Sequence, residues 1–161
     1  MRKKIFKAIA EALAKVQGVK FVDLWNNQIQ TINGGSAFAV PAVFIEFEEL
    51  NWKQQNRGAR RGNLAVRLHV ITRAVATHGF MDPKIDEALE LFDLLDNINA
   101  VMQGLRGEHF TGIMLTTSAT NHDHTELIES VERYVLGVQD ITAMRPVGVV
   151  SGLSGAVLPP K

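Results

Sequence analysis

The chain of 161 residues contains no cysteine. That absence excludes a disulfide framework and any thiolate metal site, and it is compatible with a reducing cytoplasm. There is no excess of charge either: 17 basic residues balance 17 acidic ones. No global field therefore draws the protein to nucleic acid or to an anionic membrane, and any DNA contact must be local. No apolar run approaches the ~20 residues that span a bilayer, so we expect a soluble protein that reaches any assembly by binding. The basic start Met1-Arg2-Lys3-Lys4 resembles the front of a leader, but Lys7, Glu11 and Lys15 interrupt the apolar run that should follow, and the segment reads instead as an amphipathic helix. Catalytic signatures are missing too. None of Ser36, Ser118, Ser130, Ser151 or Ser154 sits in a nucleophile elbow. Gly34-Gly35-Ser36 is too short to cradle a phosphate, and Arg57 to Gly62 lacks the lysine and hydroxyl spacing of a phosphate loop.

What is present suits one compact domain, since 46% of the residues are hydrophobic and 21% charged, enough to bury a core. Ile5, Ile9, Leu13 and Val16 recur at helical spacing, widened by Phe6 and Ala12, which predicts a first helix from about Arg2 to Gln17 stopped by Gly18. Val19 to Trp25 reads as a short strand and Asn26 to Ser36 as a turn or loop. Thr77 to Met81 is a linker. Asp82-Pro83 then marks a helix start, an oxygen-bearing cap before a proline whose missing amide proton costs nothing there. The helix that follows is expected to bury Ile85, Ala88, Leu89, Phe92, Leu95, Ile98 and Met102, to leave an acidic face of Asp86, Glu90 and Asp93 in solvent, and to end at Gly104. His109 to Thr117 alternates as a strand. Glu126 to Val138 fits both periods: Leu127, Val131, Tyr134, Val135 and Val138 suit a helix, with Asp123 and Glu126 as a capping box, while Val131, Arg133 and Val135 suit a strand, and periodicity alone leans to the helix.

The most informative stretch is Pro41 to Arg73. Val43, Ile45 and Phe47 share one side of a strand opposite Glu46 and Glu48, and Leu64, Val66, Leu68 and Val70 oppose Arg67, His69 and Arg73 on a second. Such alternation marks a sheet with one face buried and one wet, and it fixes the register, because a one-residue slip would turn every side chain over. Between the strands, Asn51 to Asn63 carries Trp52, Lys53, Arg57, Arg60 and Arg61. Arginine beside an aromatic is what a phosphate-gripping surface uses. With zero net charge, a protein contact is the better reading of this exposed tip.

One cluster has metal-ligand types: His122, Asp123 and His124, with Glu126 behind. Its spacing is not specific, a third imidazole would have to come from His69, His78 or His109, and a polar turn into the last strand accounts for it as well. The carboxylates Glu46, Glu48 and Glu49 read as solubility on a wet strand. From Ile141 to Lys161, glycines and prolines punctuate Val147, Val149, Val150, Leu153, Val157 and Leu158. So many aliphatic side chains are costly to leave in water, and we expect this arm to lie along a neighbouring subunit, adding a strand to its sheet.

The order helix, strand, long-loop hairpin, helix, strand, Asn-His-Asp-His turn and final strand resembles the tail-terminator or tail-completion (neck) proteins of long-tailed bacteriophages. Phe44-Ile45-Glu46-Phe47, the loop from Trp52 to Gly62, Leu64 to Val70, the helix Ile85 to Leu105, and Thr120 to Tyr134 carry the likeness, which covers roughly Met1 to Asp140. It implies an α/β (α+β) fold: a mostly antiparallel sheet with two main helices on one face and a long hairpin loop. On this reading residues 1–140 form the domain, residues 141–161 form an extended C-terminal arm, and Glu126 to Val138 is a strand. The resemblance also implies a virion protein assembled in the host cytoplasm, without enzymatic activity, cofactor, metal or membrane. It would form a homo-oligomeric ring, typically a hexamer, on the head-proximal end of the tail tube. There it would end tube polymerisation, join the tail to a head-completion or connector protein, and let genomic DNA pass without sequence-specific binding. A closed ring needs a rigid sheet and heterologous contacts, and Trp52, Lys53, Arg57, Arg60, Arg61 and the aliphatic residues of the arm are the candidate interface. The alternatives are a head-completion or connector-adaptor subunit, a metal-dependent hydrolase built on His122, Asp123 and His124, and a small nucleic-acid-binding regulator.

Overall fold

The computed structural model describes residues 1–28, 38–121 and 126–144. Helix α1 (Arg2–Leu13) is followed by β1 (Phe21–Leu24), β2 (Ala42–Phe47), a two-residue β3 (Lys53–Gln54), β4 (Arg60–Arg73), helix α2 (Ile85–Met102), β5 (Met114–Asn121) and β6 (Leu127–Asp140). The strands form one six-stranded sheet in the order β1-β2-β4-β6-β5, with β3 paired to the start of β4. Only β1 and β2 run parallel; the other pairs are antiparallel. The expected α+β architecture is observed.

The 14-residue β4 and β6 pair along their whole length, from Arg60 opposite Asp140 to Arg73 opposite Leu127. This register places Leu64, Val66, Leu68 and Val70 of β4 and Tyr134, Leu136 and Val138 of β6 on one side. There they meet Val43 and Ile45 of β2, Ile5, Ile9 and Leu13 of α1, and Leu94, Ile98 and Met102 of α2. Periodicity alone leans to a helix over residues 126–138; a partner strand of equal length decides for the strand, because ladder bonds and packing outweigh local propensity. Buried Tyr134 turns its hydroxyl toward Asn99 of α2, and burial pushes that phenol well above its ordinary range.

Several boundaries and faces differ from the sequence reading. Helix α1 stops at Leu13, and turns carry the chain through Gly18, at φ 99°. Asp82 acts at the start of α2 from the preceding turn: its carboxylate accepts the backbone N–H groups of Lys84 and His78, both at 2.8 Å. The strand expected from His109 begins at Met114, while Thr111 and Gln139 donate backbone hydrogen bonds that tie residues 109–111 to the end of β6. The outer face of the sheet is not uniformly wet. Phe44 and Ile71 are fully buried there in a second cluster with Phe21, Trp25 and Phe38.

Helix α2 shows the largest departure. Leu94, Ile98 and Met102 are its buried residues, whereas Leu89 and Phe92 are 43% and 57% exposed. Apolar residues occupy two opposite stripes of this helix, so a 3.6-residue period cannot say which stripe the sheet takes. We expect Ile98→Ala to cost about 2–5 kcal/mol of stability, as filled core positions do, and Phe92→Ser to shift the urea midpoint hardly at all.

Glu132 lies on the helix side of β6, only 5% exposed, and accepts a hydrogen bond from the Ser118 hydroxyl. Burial raises its pKa, so the fold favours the protonated acid and this contribution to stability is lost as pH rises through the folded pKa. Glu132→Gln should therefore raise the melting temperature at neutral pH, with the gain shrinking as the buffer is made acidic.

Candidate functional site

The segment read as an exposed basic loop is a folded extension of the sheet. Lys53 and Gln54 pair with Arg61 and Arg60, and a 3-10 turn at Asn56–Gly58 closes the hairpin. Arg57 at the tip has φ 61° and Gly58 has φ 86°. At Gly58 a side chain is also barred by space: an added Cβ would collide with the carbonyl of Ala143. The tip thus packs against the start of the C-terminal segment.

Arg60 is the anchor of this end of the molecule. Its guanidinium lies 4.4 Å from the centre of the Trp52 ring and donates to Asp140 Oδ2 from Nε at 3.1 Å and from NH2 at 2.8 Å. Asp140 Oδ1 accepts from the Thr142 backbone N–H at 3.1 Å and its hydroxyl at 2.7 Å, an Asx turn that bends the chain away from β6. Arg60, and then Thr142, hold the Asp140 carboxyl far below the usual carboxylate range. With its amide turned so that the oxygen faces Arg61, Gln55 accepts from Nε at 2.5 Å and from NH2 at 2.6 Å and holds Arg61 within the hairpin. Lys53 and Arg57 are exposed and have no ion-pair partner among the described residues. The five hairpin residues are therefore brought together, with Trp52 and Arg60 engaged internally and Lys53 and Arg57 presented outward.

Beside the hairpin lies an open cleft of about 820 Å³, with Lys53, Arg61, His109, Phe110 and Gln139 among its lining residues. Lys53 brings an unpaired cation to this cleft, and Glu108, paired with Lys4 at 2.6 Å, lines it as well. The sequence reading missed Asp140 and the 107–111 segment, although the Asp-x-Thr spacing at Asp140 is a turn signal.

On the outer face a chain of charges crosses three strands, β2, β4 and β6. His69 Nδ1 lies 2.7 Å from Glu129 and Nε2 lies 3.1 Å from Glu46, under Trp25, whose ring stacks on the imidazole at 3.8 Å. Arg67 reaches Glu46 at 3.6 Å and Glu48 at 2.7 Å, and Arg133 donates to both oxygens of Glu48 at 2.9 and 3.0 Å. Arg133 first, then Arg67, lower the Glu48 pKa against the opposing effect of burial. The alternation placed these residues on one face; the cross-strand partners were not legible. His69 was expected to be wet and is 6% exposed, because the chain after β1 folds Trp25 over it.

His122, Asp123 and His124 lie outside the described residues, as do Val147, Val149, Val150, Leu153, Val157 and Leu158. Among the described residues, no group of three His, Asp or Glu side chains is arranged to hold a metal ion. No helix among them is long and apolar enough to cross a membrane.

No protein-family model and no curated protein matches the sequence. The fold is similar to that of a chain in a solved structure of the virion of a native gene transfer agent particle. The TM-score is 0.50 at 9% sequence identity, and the match covers 84% of this chain and 95% of that chain. At that identity the likeness is one of fold.

Breaking the hairpin anchor has a signed pH signature. A depressed folded pKa stabilises above the ordinary aspartate range and is lost as pH falls through the folded value. Arg60→Ala should cost about 1–2 kcal/mol at neutral pH, allowing for solvent screening of the half-exposed arginine. The gap from the wild type should narrow below about pH 4, where aspartates ordinarily protonate, as read by urea unfolding across pH.

Proposed function

We propose that this chain is a structural, non-enzymatic virion subunit and, more specifically, the tail terminator. It assembles as a closed homo-oligomeric ring, a hexamer, on the head-proximal end of the tail tube, where it stops polymerisation and receives the head connector. The observation that carries this reading is the fold shared with a gene transfer agent virion chain over 84% of the length of the present one. The order of elements in the sequence supports the same assignment.

The physical fit is straightforward. A ring subunit must hold its shape while pressed between two neighbours, and the long β4–β6 ladder with helices on one face supplies stiffness. It also needs protruding groups whose charge is not consumed inside the subunit, and Lys53 and Arg57 at the hairpin tip meet that need. In this reading they face protein, the tube or the adjoining ring, because cations lining the channel would slow the passage of DNA.

Tube protein polymerised in the presence of this chain should give tubes capped at one end and shorter than those formed without it, as seen by electron microscopy. Lys53→Ala combined with Arg57→Ala should leave the fold intact and reduce capping at least about tenfold, the scale of losing a central anchor. Capping of portals in place of tubes would make the chain a head-completion or connector-adaptor subunit. Binding to neither would sink the virion reading.

A further inference from the structure

The most exposed large apolar side chains among the described residues lie on and just before α2. Phe80 and Met81, in the turn before the helix, are 82% and 89% exposed, and Leu89 and Phe92 on the helix are 43% and 57% exposed. In the helical period Ile85, Leu89 and Phe92 fall on one stripe, opposite the Leu94, Ile98 and Met102 side that meets the sheet. Patches of this kind mark interaction sites. The helix carries five acids, Asp86, Glu87, Glu90, Asp93 and Asp96, and no base, and none of the five is ion-paired among the described residues. Glu87, Glu90 and Asp93 line a groove on the Leu94 side of α2 together with Lys20 and Arg73, whereas Asp96 falls on the Leu89 and Phe92 stripe in the helical period. The fitting partner is therefore apolar and positively charged.

The chain contains such a segment. Residues 145–161 include Val147, Val149, Val150, Leu153, Val157 and Leu158, with Arg145 and Lys161 as the only charged residues and no acid. We propose that this C-terminal segment of a second copy docks on the outward face of α2. The proposal rests on the reading above that the chain assembles with copies of itself.

Distance argues for a second copy. The segment starts five residues beyond Asp140, at the hairpin end of the β4–β6 ladder, where Ala143 packs on Gly58. The first half of α2 lies over the opposite end, beside Thr72, Arg73 and Ile128. Thirteen ladder steps at about 3.3 Å make about 43 Å, and passing over the helix layer adds about 20 Å, one layer spacing and one helix thickness. Seventeen fully extended residues reach at most about 60 Å. The two displacements are perpendicular and combine to a straight separation of about 47 Å, whereas nine extended residues carry the chain only about 32 Å, so within one chain Val147 to Leu153 fall short of the patch. A neighbour placed head to tail brings its own patch to the root of the segment, and the contact is heterologous, as ring closure requires.

The absence of native cysteine makes the test clean. Chains carrying Leu153→Cys are mixed with chains carrying Leu89→Cys and oxidised; a disulfide-linked pair of the two should form, and the double variant should give a ladder of linked multimers. Linkage within a single double-variant chain, or no more linkage than to Leu24→Cys or to Thr117→Cys on the β5 edge, overturns the docking. By mass measurement, Phe92→Ser should raise the concentration needed for assembly at least about tenfold while leaving the urea midpoint of the subunit unchanged. A wild type that assembles and a Phe92→Ser variant that assembles equally well would overturn the docking and leave the virion reading standing. A wild type that stays monomeric at every concentration, even with tail tubes, would bring down both.

Discussion

The continuous antiparallel pairing of β4 with β6 is the constraint on which the rest of the molecule depends. Because the ladder runs unbroken from Arg60–Asp140 to Arg73–Leu127, every side chain on either strand is committed to one face, and a slip of one residue would bury Arg67 and Arg133 while exposing Leu68 and Tyr134. The same ladder separates the molecule into two ends. One holds the basic hairpin, the Arg60–Asp140 pair and the root of the C-terminal segment; the other holds the exposed half of α2. The outer-face chain from Glu129 through His69, Glu46, Arg67 and Glu48 to Arg133 is a consequence of register, since only this pairing brings opposite charges beside one another across β2, β4 and β6.

How much of this was legible from the residues follows from which physical signal each element carries. Alternation over Val43 to Phe47 and over Leu64 to Val70 is a period-two signal that no helix mimics, and both strands are where it puts them. Residues 126–138 carry both periods, and the deciding fact, a partner strand of matching length, is not local; only the resemblance pointed to a strand. The buried stripe of α2 failed for a related reason. Leucines, phenylalanine and isoleucines lie on two sides of that helix, and the sheet takes the Leu94 side, which leaves Leu89 and Phe92 outward. Within the site, the cluster of Trp52, Lys53, Arg57, Arg60 and Arg61 was visible as composition, but its division into engaged and presented cations depends on Asp140, 80 residues from Arg60 in the chain. Long-range ion pairing leaves no trace in local sequence.

The neutrality of the chain acquires a different meaning once the pairs are assigned. Equal numbers of acids and bases describe a protein without a long-range field, yet the charges are not mixed evenly. Arg60, Arg67 and Arg133 are consumed by Asp140, Glu46 and Glu48 within the sheet. Among the described residues, the cations left without an ion pair include Lys53 and Arg57 at the hairpin end and Lys20, Arg73 and Lys84 near the start of α2, and the unpaired acids include the five along α2. In the proposed ring, Lys53 and Arg57 of one subunit set against the α2 acids of the next favour a head-to-tail contact, since like charges juxtaposed at an interface cost roughly several kcal/mol. Electrostatics of this kind contributes more to orientation than to affinity. On that proposal it selects the heterologous arrangement, and apolar surface such as that of Phe80, Met81, Leu89 and Phe92 supplies the holding energy.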